Sequence, residues 1–71
     1  MGKSFGEVVS YYLGALGVSQ SELARRMGTG RQTVNSIIKN KGLRPTLDTA
    51  VAIANALGVP LQDMVDMMRG D

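Results

Sequence analysis

Val18-Ser19-Gln20-Ser21-Glu22-Leu23-Ala24-Arg25-Arg26-Met27-Gly28-Thr29-Gly30-Arg31-Gln32-Thr33-Val34-Asn35-Ser36-Ile37-Ile38-Lys39 reads as two short helices joined by a tight turn. Ser19 followed by Glu22 is a capping box, in which a hydroxyl and a carboxylate satisfy free backbone N–H groups. Val18 before the cap and Leu23 inside the helix are placed to form a hydrophobic staple. The helix runs to about Met27 and stops at Gly28. The next helix starts near Arg31, capped either by Gly30, which offers no side-chain acceptor, or by Thr29 with Gln32 as a T-x-x-Q box. At 100° per residue, Val34, Ile37 and Ile38 share one side. Arg31, Gln32, Asn35, Ser36 and Lys39 share the other and are expected to face outward.

The charges are sorted along the chain. Arg25, Arg26, Arg31, Lys39, Lys41 and Arg44 form a basic stretch with no acidic residue in it, whereas Glu7 and Glu22 precede it and Asp48, Asp63, Asp66 and Asp71 follow. Four of the six basic residues lie on the second helix and the loop after it. A helix-turn-helix with its cations gathered there matches the phosphate backbone of duplex DNA. Gly28-Thr29-Gly30-Arg31-Gln32-Thr33 only half matches a dinucleotide fingerprint and follows a helix instead of a strand, so that reading is discarded.

Outward from this centre the chain continues as helices, with no strand signal. Ser4 and Glu7 make a capping box before Phe5, Val8, Val9, Tyr12, Leu13 and Leu16, which recur at helical spacing until Gly17. Pro45 marks the end of a polar loop, and Thr46 caps a helix with Asp48 at its positive end. Leu47, Ala50, Val51, Ala54 and Leu57 are its expected buried stripe before Gly58. Pro60 suits the first turn of a last helix with Leu61, Met64, Val65 and Met68 at i, i+3, i+4 and i+7. Met64, Met67 and Met68 are either a dimer surface or, equally well, two core residues and one exposed one. One of Tyr11 and Tyr12 is expected to pack. The expectation is an all-α, compact five-helix domain over residues 1–71, with helices near 4–16, 20–27, 31–39, 47–57 and 61–68.

Composition narrows the function classes. Seventy-one residues form one domain that buries about 60% of its unfolded surface. The chain has no Cys and no His, so it lacks a thiolate, a disulfide and the commonest general base and metal ligand. The only groups left for acid–base work are carboxylates, and Asp63 and Asp66 on one exposed helix read as solubilising. No catalysis, cofactor, metal or small-molecule ligand is expected. The start Met1-Gly2-Lys3-Ser4-Phe5-Gly6 has no long apolar run, Gly6 occupies the place where myristoylation favours Ser or Thr, and no segment approaches the ~20 apolar residues of a membrane span. A cytoplasmic, nucleoid-associated protein with no membrane contact is the expectation.

The spaced elements Val18 to Gly28, Val34-Asn35-Ser36-Ile37-Ile38, Arg44-Pro45-Thr46-Leu47 and Ala54-Asn55-Ala56-Leu57-Gly58-Val59 together resemble the lambda-repressor-like family, also called the Cro/CI or XRE type. The resemblance runs from about residue 5 to about residue 66. It implies a five-helix DNA-binding domain with its third helix in the major groove. Two departures stand out. The family often pairs an Arg in helix 1 with a Glu late in helix 3, and the matching positions are Leu13 and Ile38. Exchanging both charges for packed apolar groups is often neutral or stabilising, so these two are expected to touch in the core. Gly30 stands where the family commonly has Ser or Thr. Ala24 and Gly28 are read as small residues that let the two helices approach at the turn.

Carried onto this sequence, the resemblance assigns base reading to Arg31, Gln32 and Ser36, with Asn35 beside them. The chemistry agrees, because Arg can bond guanine O6 and N7 together, and Gln or Asn can do the same for adenine N6 and N7. Phosphate contacts are assigned to Gln20 and the backbone N–H groups starting helix 2, and to Thr33, Lys39, Asn40, Lys41 and Arg44. An isolated helix with this pattern would be read as an ordinary solvated face; the surrounding constellation favours groove contact. Arg25 and Arg26 are as well suited to point away from DNA as toward it. The implied function is a sequence-specific regulator, of the phage or bacterial repressor type, binding double-stranded DNA as a homodimer on a palindromic operator. The alternative is a protein-interaction module of the same fold, such as the antitoxin of a toxin–antitoxin pair.

Overall fold

Each helix is delimited by the groups that satisfy its ends. The computed structural model describes residues 2–40, 42 and 44–70. Among them are α1 (Phe5–Leu16), α2 (Gln20–Met27), α3 (Arg31–Lys39), α4 (Leu47–Leu57) and α5 (Leu61–Arg69). At α1 the capping box is complete: Ser4 Oγ accepts from the Glu7 N–H at 3.2 Å, and Glu7 Oε1 accepts from the Ser4 N–H at 3.1 Å. At α2 only half of the expected box forms. Ser19 Oγ accepts from the Glu22 N–H at 3.0 Å, but the Glu22 carboxylate turns to Arg25 and Arg26. Two guanidinium partners outcompete a single backbone N–H for that carboxylate. Thr46 Oγ1 caps α4 by accepting from the Thr49 N–H at 3.2 Å.

The core draws on all five helices: Phe5, Val8, Val9 and Leu13 from α1, Leu23 and Ala24 from α2, Val34 and Ile37 from α3, Ile53, Ala54 and Leu57 from α4, and Met64 from α5. No polar or charged residue among those described is buried. Such a core is held by apolar burial and close packing, at roughly 25 cal/mol per Å² removed from water. α1 touches α3, α4 and α5, while α2 packs on α3 and α4. Tyr12 is the tyrosine that packs, Tyr11 is exposed, and their rings meet edge to face at 5.3 Å.

Several apolar positions lie elsewhere than the periodicity predicts. Leu47 is 71% exposed and Val51 38%, and Ile53 is fully buried in their stead. α4 is apolar on almost every side, so its period fits more than one face, and contact with α2, α1 and α5 turns it toward Ile53, Ala54 and Leu57. Leu16 is exposed because α1 has passed the core by its last turn. Pro60 is the N-cap of α5, one residue before its first helical position, and Met67 is half-buried against the core like Met68.

Candidate nucleic-acid interface

Gly28 closes α2 with a φ of 73°, the left-handed region that costs most residues about 1 kcal/mol or more. Its N–H donates to the carbonyls of Ala24 and Arg25, and the Thr29 N–H returns to Ala24 O at 2.9 Å. This closure turns the chain sharply into α3. A Cβ at Gly28 would meet nothing within 4 Å, so the expected steric role is corrected: backbone conformation, and not room between the helices, requires glycine there. Ala24 is buried in the core as a small residue should be. Gly30 is the N-cap of α3, with no side-chain bond, which decides between the two candidate caps.

α3 divides as its period requires. Val34 and Ile37 are buried and Ile38 packs half-buried against the core. Arg31, Gln32, Thr33, Ser36 and Lys39 are exposed and Asn35 is half-buried. None of these polar side chains, nor that of the exposed Arg44, makes a hydrogen bond or ion pair with a described residue. Their donors and acceptors are therefore open to a ligand. Asn40 is exposed, and its Oδ1 accepts from the Gly42 N–H at 3.1 Å, which shapes the loop after α3. Lys41 lies outside the described residues.

Gln20 opens α2 and is half-buried, with Oε1 shut from solvent and without a hydrogen-bond partner. Its amide nitrogen is the part left to meet an anion. Of the N–H groups that start α2, that of Glu22 is already occupied by Ser19. The remaining first-turn N–H groups lie beside Gln20 at the positive end of the helix.

Arg25 and Arg26 do not belong to the outward set of α3. Arg25 Nη2 donates to both Glu22 oxygens at 2.7 and 2.9 Å, and Arg26 Nε donates to Glu22 Oε2 at 3.1 Å. The hydrogen bond from Arg25 above all, then that from Arg26, holds the Glu22 carboxyl below its ordinary range. Arg26 Nη1 also donates to Ala56 O, at the end of α4, at 3.0 Å. Among the described residues the unbroken basic run of the sequence is thus split in space: Arg25 and Arg26 serve α2 and α4, while Arg31 and Lys39 lie on α3 and Arg44 in the loop after it. Sequence reasoning missed the Arg26 to Ala56 bond, which joins residues thirty apart and leaves no local signal. It also missed Gly6, whose burial was hinted at only by its place among Phe5, Val8 and Val9.

Comparison with known proteins agrees with this architecture. The sequence profile described as Helix-turn-helix matches residues 9–64. The chain is 36% identical over 56 residues to an uncharacterised HTH-type transcriptional regulator, MJ0272, of Methanocaldococcus jannaschii, covering 79% of this chain and 83% of that one. Its fold is similar to that of the restriction-modification controller protein C.AhdI of Aeromonas hydrophila, with a TM-score of 0.75 at 25% identity over 84% of this chain and 86% of that one. The clp gene regulator ClgR of C. glutamicum shares the fold with a TM-score of 0.86 at 16% identity, over 96% and 87% of the two chains. With a matching profile over most of its length, five helices and the α2–turn–α3 unit at its centre, the chain belongs to the XRE, Cro/CI-type helix-turn-helix family of DNA-binding transcription regulators.

Proposed function

We propose that the chain is a sequence-specific regulator of the phage or bacterial repressor type that reads double-stranded DNA with α3 in the major groove. The observation that carries this reading is the open flank of α3: Arg31, Gln32 and Ser36 are exposed, unbonded within the described chain and backed by the buried Val34 and Ile37. In the proposed complex Arg31 reads a guanine edge, Gln32 with Asn35 reads adenine, and Ser36 contacts a neighbouring base. Gln20, Thr33, Lys39, Asn40, Lys41 and Arg44 meet phosphates and set register without discriminating sequence. The similarity to MJ0272, a transcriptional regulator, and to C.AhdI, a restriction-modification controller protein, supports the same class.

Two copies are proposed to occupy a partly palindromic operator, with half-sites about 34 Å apart on one side of the duplex. An apolar groove of about 310 Å³ between α1, α4 and α5, lined by Phe5, Ala50, Leu61, Val65, Met68 and, at its exposed edge, Leu47, supports pairing with a second copy. Leu47 is a knob beside a hollow on one face, the self-complementary shape a two-fold interface needs.

Fluorescence anisotropy with random duplex DNA at two salt concentrations tests the function. Binding with a slope of about −0.9 per neutralised phosphate in log K against log salt is the expected result. The absence of both binding and salt slope would sink the proposal and favour the protein-interaction reading.

A further inference from the structure

α3 is held differently at its two ends. Its N-terminal end is set by the Gly28 turn and by α2, with which α3 makes its most extensive contact. Its C-terminal end rests on the first turn of α1, at Gly6. A Cβ on Gly6 would lie 2.6 Å from Ile37 O, 2.9 Å from the Ile38 carbonyl carbon, and overlap Ile38 O. These are backbone atoms, so no side-chain rotation relieves the overlap. Gly6 is buried, which closes the route outward. The two carbonyls belong to the last turn of α3, where the helix carries partial negative charge and lacks partners of its own, and Gly6 belongs to the first turn of α1, which carries partial positive charge. The ends attract, and only a residue without a side chain lets them meet.

We propose that Gly6 is a positioning residue for DNA recognition: it sets the tilt of α3 by letting α1 seat directly on the Ile37 and Ile38 carbonyls. The inference rests on the reading of α3 as the DNA-contacting helix. α3 has nine residues and is about 13 Å long. A lift at its last turn therefore displaces Ser36, Lys39 and Asn40 while Arg31 and Gln32 stay pinned near the turn. Hydrogen bonds to base edges tolerate only about half an ångström, so a change of tilt separates reading by the two ends of α3.

Gly6→Ala tests this, with Gly14→Ala as control, because Gly14 lies exposed on the same helix and a Cβ there meets nothing within 4 Å. The duplex that the wild-type chain enriches from a randomised pool is varied one base pair at a time, and each protein's affinity is measured for every variant. Base pairs are assigned to the two ends of α3 by their response to Ser36→Ala and to Arg31→Ala. Gly6→Ala is expected to lose about fivefold or more of the discrimination at the Ser36-dependent pairs and to keep it at the Arg31-dependent pairs. Gly14→Ala is expected to keep the whole profile. A Gly6→Ala profile that is unchanged, or lowered equally at every position as loss of folded protein would make it, overturns the proposal. A Gly6→Ala chain that does not fold even at low temperature with sucrose also overturns the proposal, because the contact would then serve the fold as a whole and not the tilt of α3. A wild-type chain that enriches no duplex sinks the proposed function itself, a separate failure.

Discussion

Arg26 of α2 reaches across the molecule to the Ala56 carbonyl in the last turn of α4, donating from Nη1 at 3.0 Å. The carbonyl is one of the four that a helix end leaves without an internal partner, and a cation there also opposes the negative end of the helix dipole. The bond ties the helix-turn-helix to the scaffold behind it. Arg26→Ala is expected to cost about 1 kcal/mol, measured as a drop in Tm of several degrees, while the salt slope of DNA binding stays unchanged. A reduced slope with intact Tm would place Arg26 on phosphate instead.

Leu13 is buried, and Ile38 packs against the same core from the end of α3. Leu13→Arg introduces a cation with no counter-charge on the facing helix, and several kcal/mol of destabilisation is expected. Circular dichroism should show a largely unfolded chain at 37 °C. The double variant Leu13→Arg with Ile38→Glu should recover part of the loss. An additive pair, with no recovery, would show that the two positions do not meet.

Arg31→Ala and Arg44→Ala should differ in kind. The first removes a base reader and is expected to relax preference at one base pair by about 1 to 3 kcal/mol. The second removes a phosphate contact, weakening all sequences alike and lowering the salt slope by about 1. Anisotropy titrations with matched and mismatched duplexes measure both, and equal effects on every sequence from both variants would contradict the assigned roles.

Leu47 is 71% exposed, so Leu47→Ser should change stability by no more than about 0.5 kcal/mol and Tm correspondingly little. The same change removes the knob proposed to enter a second copy. Sedimentation and operator titrations should show weaker pairing and lost cooperativity, whereas unaltered self-association would move the interface elsewhere.

Glu22 is held ionised by Arg25 and Arg26, so its folded pKa lies below the unfolded value near 4.5. Stability from this source is fully present above that value and is lost as pH falls below it through the folded pKa. Glu22→Gln should therefore lower Tm at pH 7, and the gap to wild type should close in acid. A gap that is constant with pH would assign the effect to helix propensity alone.

Local sequence determined the helices and most of their ends; the α3 cap and the exact place of Pro60 were settled only by the structure. Ser4, Ser19, Thr46 and the closing glycines act through atoms within a few residues of themselves, so short-range pattern suffices to read them. The polar flank of α3 was legible for the same reason: Val34 and Ile37 dictate which side is buried, and the rest follows from 3.6 residues per turn. Tertiary packing alone decided the rest. α4 is apolar nearly all round, and its neighbours chose Ile53 over Leu47 and Val51; Glu22 and Ala56 drew Arg25 and Arg26 away from the basic run; and Gly6 was fixed as the seat of α3 only when a second helix end arrived against it. Helical period specifies an angle around one axis, whereas burial and side-chain pairing depend on which surface lies opposite, and that surface comes from residues distant in the chain.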